Sequence, residues 1–320
     1  MLEKVKKNIF TSLAVAALIY LGFTVYADYK NVIAAFMKFN WVWLPVLLLL
    51  SFMNYLTRFF KWDYYLKILK IELSRTDSFA IFMSGLIMSV TPGKMGELLK
   101  AYLVKQVTRE PISKTGPIIF VERITDFISL VMLSIVGALV FNYGRVVVIA
   151  TGVFFLMVTF IISNKRLSLF LISSIEKVSF LNKHVEKIRT AYESSYVLLR
   201  PLPLIYMVLI SLISWSFECL GYYIILINFG LNFSILWSTF VYTFSTIAGA
   251  ITMLPGGLGV TDGSLTLLLV KKGVAKDLAV SSTFIIRVVT LWFAVLIGVL
   301  SVSFYQNRFG KIALDNPAGN

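Results

Sequence analysis

Two Pro-Gly motifs interrupt hydrophobic stretches of this chain, TPGKMGE at 91–97 and LPGGLGV at 254–260. A single arginine follows each motif at almost the same distance, since Arg123 comes 31 positions after the first proline and Arg287 comes 32 positions after the second. A broken helix inside a bilayer leaves backbone groups that need partners, so such breaks are packed within protein or line a cavity. The paired motifs are therefore the strongest pointer to a functional site.

The composition is that of a polytopic membrane protein. Hydrophobic residues make up 58% of the chain and charged residues only 14%, and the mean hydropathy is +0.84. These values lie well outside the range of soluble domains. Cys219 is the only cysteine, which excludes an intrachain disulfide, and His184 is the only histidine. We therefore expect no metal site and no cofactor.

The fold class predicted is an all-α helix bundle with about six full spans. The apolar segments of suitable length are 8–27, 41–57, 117–141, 146–163, 203–228 and 278–305. Two further segments, 77–106 and 233–271, each contain two short apolar arms around a Pro-Gly break. We interpret them as re-entrant hairpins, and eight or more full crossings is the alternative.

The Lys and Arg residues orient this arrangement. If the N-terminus is cytoplasmic, 22 of them fall in inner segments and 6 in outer segments. Such an excess is typical of the cytoplasmic side of a membrane protein. It predicts a cytoplasmic-membrane protein with both termini inside, and it accounts for the net charge of +14 without nucleic acid.

The whole chain, 1–320, is predicted to form a single integral membrane domain of two halves, 41–163 and 203–305. The segment 165–199 between them places apolar residues three and four positions apart among lysines and arginines. This pattern predicts one or two amphipathic helices on the cytoplasmic surface. The segment is either a solvated connector or a binding surface for anionic lipid headgroups.

Both halves repeat the order of span, hairpin and arginine-bearing span. Three spans lie between the hairpins, and an odd number inverts the second copy relative to the first. The two broken tips are then expected to approach each other near the middle of the membrane, as in transporters with inverted repeats. Arg123 is predicted about one and a half turns, and Arg287 about two turns, from the near end of its span.

Acidic residues are available as partners for the buried arginines. Glu122 and Asp126 lie near Arg123 on one helix face, Glu218 precedes the second hairpin, and Asp262 follows its break. These groups either pair only to hold the bundle together or line a polar cavity, and we favour the cavity. Snorkelling to the interface is a third possibility that fits Arg58 better than Arg287.

The predicted cavity suits a phosphate-bearing amphiphile, because arginine forks and free amides at helix starts both bind phosphate. The predicted headgroup-binding residues are Lys94, Arg123, Arg287, Gly93, Gly96, Gly256 and Gly259. The residues predicted to balance charge or couple protons are Glu97, Glu122, Asp126, Glu218 and Asp262. Pro92 and Pro255 are expected to form the gate.

The stretches TPGKMGELLKAYLVKQ (91–106), VERITDFISL (121–130) and LPGGLGVTDGSL (254–265) carry a family resemblance over nearly the whole chain. They resemble the lysylphosphatidylglycerol synthase transmembrane, or flippase-like UPF0104, family. The resemblance implies a bundle with two re-entrant elements, similar to the lipid-translocating half of multiple peptide resistance proteins. Those proteins carry a soluble aminoacyltransferase domain after the membrane part. Here the sequence stops at Asn320, so synthase activity is not expected.

The function expected from these features is transfer of a phospholipid or polyprenyl-phosphate lipid between leaflets by a flippase or scramblase. The alternative is a membrane-embedded enzyme, or an accessory subunit, of lipid-linked glycan or aminoacyl-lipid synthesis. Membrane lipids are the expected partners, with a homo-oligomer or a lipid-biosynthesis protein also possible. Nucleic acid is not expected to bind.

Overall fold

A computed structural model describes residues 18, 21–22, 25–91, 96–168 and 185–309. Every regular element in these ranges is helical. The longer helices are α1 Tyr29–Lys38, α2 Leu44–Ile68, α3 Arg75–Gly85, α4 Leu99–Thr108, α5 Ile112–Val140, α6 Arg145–Ser163, α7 Val185–Leu198, α8 Pro201–Asn228, α9 Ile235–Ile251, α10 Val260–Lys271, α11 Lys276–Arg287 and α12 Phe293–Phe309. Short 3-10 turns extend α2 at Trp41–Trp43 and α3 at Leu86–Val90, and a π-helical turn at Val288–Trp292 joins α11 to α12.

Five helical segments are long and apolar enough to cross a membrane: Trp41–Ile68, Ile112–Val140, Arg145–Ser163, Pro201–Asn228 and Lys276–Phe309. They confirm the predicted polytopic bundle and correspond to five of the six predicted spans. The first predicted span, 8–27, lies almost entirely outside the described residues. The predicted boundaries are wrong at two places, because α2 continues eleven residues past 57 and α5 begins five residues before 117.

The two predicted hairpins are each a pair of helices separated by a break. In the first, α3 and its 3-10 extension end at Val90, and α4 begins after the break. In the second, α9 and α10 flank a 3-10 turn at Pro255–Gly257. The residues from Pro92 to Met95 lie outside the described ranges. Both hairpins start with a serine cap, since Ser74 Oγ accepts from Asp77 N and Ser234 Oγ accepts from Trp237 N.

The repeat extends well beyond the Pro-Gly motifs. The helices before the hairpins end in the same turn, with positive φ at Lys70 and at Gly230, 160 positions later. Each turn is closed by the amide of the next residue, which donates to the carbonyl of Leu66 or Leu226. After the breaks the separation becomes 164 positions, which relates Arg109 and Gly273, both at positive φ. The second copy therefore carries four extra residues around its break.

The halves pack reciprocally. Helix α2 lies along its counterpart α8. Helix α3 of the first hairpin packs on α12 of the second half, and α9 of the second hairpin packs on α5 of the first half. Each hairpin is thus held by the arginine-bearing span of the other half, which continues as α12 in the second half. This exchange is what a two-fold relation between the halves requires.

The two hairpins open at opposite ends of the bundle. At one end, where α12 finishes, Arg308 Nε lies 2.7 Å from Asp77 Oδ1 at the start of α3. At the other end, just after α5, Lys271 Nζ at the end of α10 donates to Tyr143 Oη over 3.0 Å. Because α5 starts directly after α4 and runs about 43 Å at 1.5 Å per residue, these two ends are far apart.

Two glycines permit close packing at the exchanged contacts. A Cβ at Gly137 of α5 would collide with the Phe240 side chain of α9. A Cβ at Gly298 of α12 would collide with the backbone of Ile87 in the extension of α3. Small residues at such crossings allow helix backbones to approach within a membrane, where packing drives association.

We expect Gly298→Ala to destabilise the protein by about 1–3 kcal/mol, because the new methyl group meets backbone that cannot rotate away. Gly116→Ala is the matched control, since a Cβ there would have only ordinary contacts, the shortest 3.6 Å to Leu98 Cδ2. Thermal unfolding of both variants in detergent measures the difference. Equal melting temperatures for the two variants would show that the α3–α12 crossing is looser than described.

Because the two hairpins open at opposite ends of the bundle, cysteines introduced at these ends should be accessible from opposite sides of the membrane. Thr76 is the second residue of α3 and Ala275 precedes α11, and both are exposed. In a Cys219→Ala background, a membrane-impermeant maleimide should label Ala275→Cys in intact cells and Thr76→Cys only after lysis. Labelling of both positions from the same side would contradict the arrangement.

Candidate functional site

The two arginines lie equally deep in equivalent helices. Arg123 and Arg287 are each the twelfth residue of their helix, in α5 and in α11. Each is therefore about 16 Å from the start of its helix, or roughly three turns. The predicted depths of one and a half and two turns are wrong, because both helices begin before the first strongly apolar residue. The arginines thus lie about a third of the way along the helical segments Ile112–Val140 and Lys276–Phe309.

Arg123 connects its helix to the first hairpin. Its Nη2 donates to Glu97 Oε2 over 3.1 Å and lies 3.5 Å from Asp126 Oδ2 on the next turn of α5. Glu97 comes directly after the break, in the turn that leads into α4. The ion pair therefore fixes the second arm of the hairpin against α5 at the point where the chain restarts its helix.

Two buried lysines complete the ion pairs on this side. Lys100 Nζ lies 2.7 Å from Glu122 Oε2 and stands over the Trp62 ring at 4.8 Å. Lys61 Nζ donates to Asp126 Oδ1 over 2.8 Å and to Ser211 Oγ over 2.8 Å. Side chains this deeply buried are stable as charges only when paired and hydrogen-bonded. Both lysines meet that condition.

The sequence interpretation missed Arg58, Lys61 and Lys100 as members of the site. Arg58 does not snorkel to an interface: its side chain is 13% exposed, and its Nη2 lies 3.5 Å from Asp126 Oδ2. A helical spacing was present as a signal, because Asn54, Arg58 and Lys61 recur at four and three residues within an apolar stretch. The same pairing explains why α2 does not end at 57.

The second half contains a simpler arrangement. Arg287 Nε lies 2.9 Å from Asp262 Oδ1, and Arg287 Nη2 donates to the carbonyl of Gly256. Asp262 Oδ2 also accepts from Gly259 N over 2.8 Å, which caps the start of α10. A carboxylate in the first turn is favoured by the helix dipole. Asp262 thus joins the arginine to the restart of the broken helix.

Glycine is required at this break by the backbone itself. Gly256, Gly257 and Gly259 all have positive φ, at 59°, 66° and 83°. Residues with a side chain are strained in this region. Two of the predicted phosphate-binding amides already have internal partners, since Gly259 N donates to Asp262 and Gly96 N donates to Thr91 Oγ1 over 3.0 Å.

Glu218 of α8 is buried between the two halves. Tyr242 Oη donates to its Oε2 over 2.6 Å. Glu218 is 160 positions after Arg58, the same separation that relates α2 and α8, and the two side chains interact electrostatically. At equivalent positions of the repeat, the second half therefore has a carboxylate, Glu218, where the first half has a guanidinium, Arg58.

The broken tips of the two hairpins meet. Val90, at the end of the first arm, shares a small buried cluster with Leu258 of the second break and with Leu291 and Val295. Gly256 lies against the carbonyl of Ser89, with 3.7 Å from the position of its missing Cβ to that oxygen. Pro255 lies at this junction, whereas Pro92, Gly93 and Lys94 fall outside the described residues. The predicted approach of the tips is present on the described side.

The site contains equal numbers of cations and acids within the described ranges. The cations are Arg58, Lys61, Lys100, Arg123 and Arg287, and the acids are Glu97, Glu122, Asp126, Glu218 and Asp262. Asp63 is also buried and pairs with Lys67 on its own helix. No group of three or more His, Cys, Asp and Glu side chains in these ranges is placed to hold a metal ion. A phosphate carries the same sign of charge as the carboxylates that the arginines contact. It can therefore replace a carboxylate as the partner of an arginine.

Comparison with known proteins identifies the family. The model for "Lysylphosphatidylglycerol synthase TM region" matches residues 9–298. A UPF0104 membrane protein of Methanocaldococcus jannaschii is 28% identical over 232 residues, which cover 68% of this chain and 93% of the relative. Others come from Methanothermobacter thermautotrophicus, 23% identical over 80% of this chain and 83% of the relative, and from Pyrococcus horikoshii, 28% identical over 74% and 79%. The chain belongs to the lysylphosphatidylglycerol synthase transmembrane-region family, whose curated relatives here are UPF0104 membrane proteins.

Proposed function

We propose that this protein moves a phosphate-bearing lipid, such as a phospholipid or a polyprenyl-phosphate lipid, between the leaflets of the cytoplasmic membrane. The observation that carries the proposal is the meeting of two broken helix pairs, entering from opposite ends, with a deep arginine behind each break. Transporters with inverted repeats place their binding sites at this kind of junction. The match to a lipid-related membrane family supports the same conclusion.

In this proposal the two helix pairs are re-entrant hairpins. Helix α9 has 17 residues and is about 25 Å long, which is less than the roughly 30 Å of bilayer hydrocarbon. The orientation rests on the Lys and Arg residues: even without the buried Arg58, Lys61 and Lys100, the segments assigned inside carry 19 and those outside carry 6. Both termini are then cytoplasmic.

The arginines act by exchanging an internal carboxylate for the lipid phosphate. Arg123 now contacts Glu97 and Asp126, and a phosphate oxygen that replaces Glu97 would find the same fork. The displaced Glu97 carries its charge with the hairpin arm, so binding of the headgroup loosens the arm from α5. Lys94 and Arg287 supply further positive charge along the path, and the acids balance it.

Transport requires the apolar tips to separate, because a headgroup cannot pass a closed cluster of Val90, Leu258 and Leu291. Alternating separation of the two hairpins would open the path first to one side and then to the other. The protein itself is proposed to act as a transporter and to need no cofactor. Membrane lipids are its proposed partners.

Purified protein in liposomes should transfer a fluorescent phosphate-bearing lipid between leaflets, and Arg123→Gln should reduce the rate at least about tenfold, because a charge-assisted contact is lost. Lys67→Gln is the control, since the Lys67 side chain is 59% exposed and pairs with Asp63 on its own helix. No transfer by the wild type, with or without a proton gradient, would remove the basis of the proposal. Formation of a chemically modified lipid by the purified protein alone would instead support the alternative, a membrane-embedded enzyme.

Linking the tips should stop transport. In a Cys219→Ala background, a short bismethanethiosulfonate linker across Val90→Cys and Leu258→Cys should reduce lipid transfer to the background rate, and a reductant should restore it. Each single cysteine variant treated in the same way serves as the control. Unchanged transfer by the linked protein, with linkage verified by mass spectrometry, would show that the tips do not gate the path.

A further inference from the structure

Arg58 has unused hydrogen-bonding capacity at a deep position. A guanidinium carries five N–H donors. Among the described residues Arg58 makes no hydrogen bond, and its shortest polar contact is the 3.5 Å ion pair with Asp126 Oδ2. Neighbouring Lys61 makes three, to Asp126, Ser211 and the carbonyl of Glu122. The Arg58 side chain is 13% exposed, so its guanidinium is partly accessible and can accept a partner from outside the described residues.

Arg123 shares this property and lies beside Arg58. Its Nε is buried without a hydrogen-bond partner, and so is Asp126 Oδ2, the oxygen that both arginines approach. Each Nη2 atom lies 3.5 Å from that oxygen, so the two nitrogens are separated by at most twice this distance. A tetrahedral anion can accept from two guanidinium groups at such a separation.

The two arginines are also the accessible members of their cluster. The side chains of Arg58 and Arg123 are 13% and 19% exposed, whereas those of Lys61, Lys100 and Asp126 are 1–3% exposed. The lysines therefore pair with the acids from within, and the two arginine side chains are the more exposed members of the cluster. Arg287 differs, because its guanidinium already contacts Asp262 and the Gly256 carbonyl.

We propose that Arg58 and Arg123 form one binding site for the phosphate group of an amphiphile, with Arg58 supplying donors that no hydrogen bond to a described residue uses. This inference rests on the proposed function and places headgroup binding in the first half of the repeat. Arg287, in contrast, secures the second break to α11. The repeat-related position of Arg58 in the second half holds Glu218, which gives the second half no equivalent arginine pair.

The position of Arg58 along α2 favours a lipid over a free phosphate ion as the source of the phosphate group. Arg58 is ten residues from the end of α2 at Ile68, or about 15 Å along the helix. The segment Trp41–Ile68 has 28 residues and is about 42 Å long, so in a helix centred on roughly 30 Å of hydrocarbon Arg58 would lie about 9 Å inside it. A free phosphate ion would have to reach this depth without a tail, whereas an amphiphile keeps its chain in lipid.

The test is calorimetric titration of the purified protein in dodecyl maltoside with n-dodecyl phosphate, and separately with inorganic phosphate. The wild type should bind dodecyl phosphate at least about tenfold more tightly than inorganic phosphate. Arg58→Gln should weaken dodecyl phosphate binding about tenfold or more, and Arg58→Lys should weaken it less, because lysine offers a point charge instead of a fork. Lys67→Gln should bind as the wild type does.

Folding of Arg58→Gln is expected, since Asp126 retains Lys61 and Arg123 as partners. A measurement on the wild type makes the test independent of the variant: dodecyl phosphate should protect Arg58 from phenylglyoxal, detected by mass spectrometry, and should not protect the exposed Arg75. Wild-type affinity in folded Arg58→Gln, or equal modification of Arg58 with and without the probe, would overturn the site. Equal binding of the two phosphates would overturn the assignment to a lipid.

Leaflet transfer in liposomes separates this inference from the proposed function. Binding that depends on Arg58 in a protein that transfers no lipid would support the site and contradict the transporter. Lipid transfer that proceeds equally in wild type and Arg58→Gln would support the transporter and contradict the site.

Discussion

The carboxylate of Asp126 is the interaction on which the first half of the structure depends. It accepts from Lys61 of α2 and from Ser211 of α8, and it lies close to Arg58 of α2 and Arg123 of its own helix. One acid thus joins three helices within the apolar layer. Losing a single partner of a buried charge typically costs about 3–5 kcal/mol, because the remaining charge stays buried. This carboxylate therefore fixes the position of α2 against α5 and α8. One turn earlier in α5, Glu122 pairs with Lys100 and so attaches the first hairpin to the same helix.

The two halves use the same framework with different chemistry. Both have a capped first arm, a break, a left-handed turn and an arginine at the twelfth position of the following helix. In the first half several ion pairs surround the arginine, and in the second half Arg287 pairs with Asp262. Asp262 also caps the helix that follows the second break, whereas Arg58 in the first half makes no hydrogen bond to a described residue. A repeat can in this way give one half a binding role and the other a structural one.

Much of this could be predicted from sequence because hydrophobic length and Pro-Gly breaks are local signals. The bundle, five spans and the approach of the tips follow from them. The end of α2 could not be predicted, because Arg58 and Lys61 resemble the start of a polar loop in the sequence. Only the folded structure shows that Asp126 of α5 pairs with both of them. The pairing of Lys100 with Glu122 depends on the hairpin turning back toward α5, which no spacing encodes. The internal partner of the Gly259 amide was missed for a similar reason, since Asp262 reads equally well as a free acid.

The central claim is that Arg123 binds the phosphate of the transported lipid and does not only form an ion pair with Glu97. The double variant Glu97→Gln/Arg123→Gln removes both charges together, so it decides between these roles when its unfolding temperature and its lipid-transfer rate in liposomes are both measured. The account predicts that the double variant regains stability relative to Arg123→Gln alone, because the single variant leaves the charge of Glu97 without its nearest cation and with only the longer contact of 3.9 Å to Lys100 Nζ among the described ion pairs, while transfer stays at the background rate. Recovery of transfer together with stability would contradict the account and would leave the pair a purely structural role.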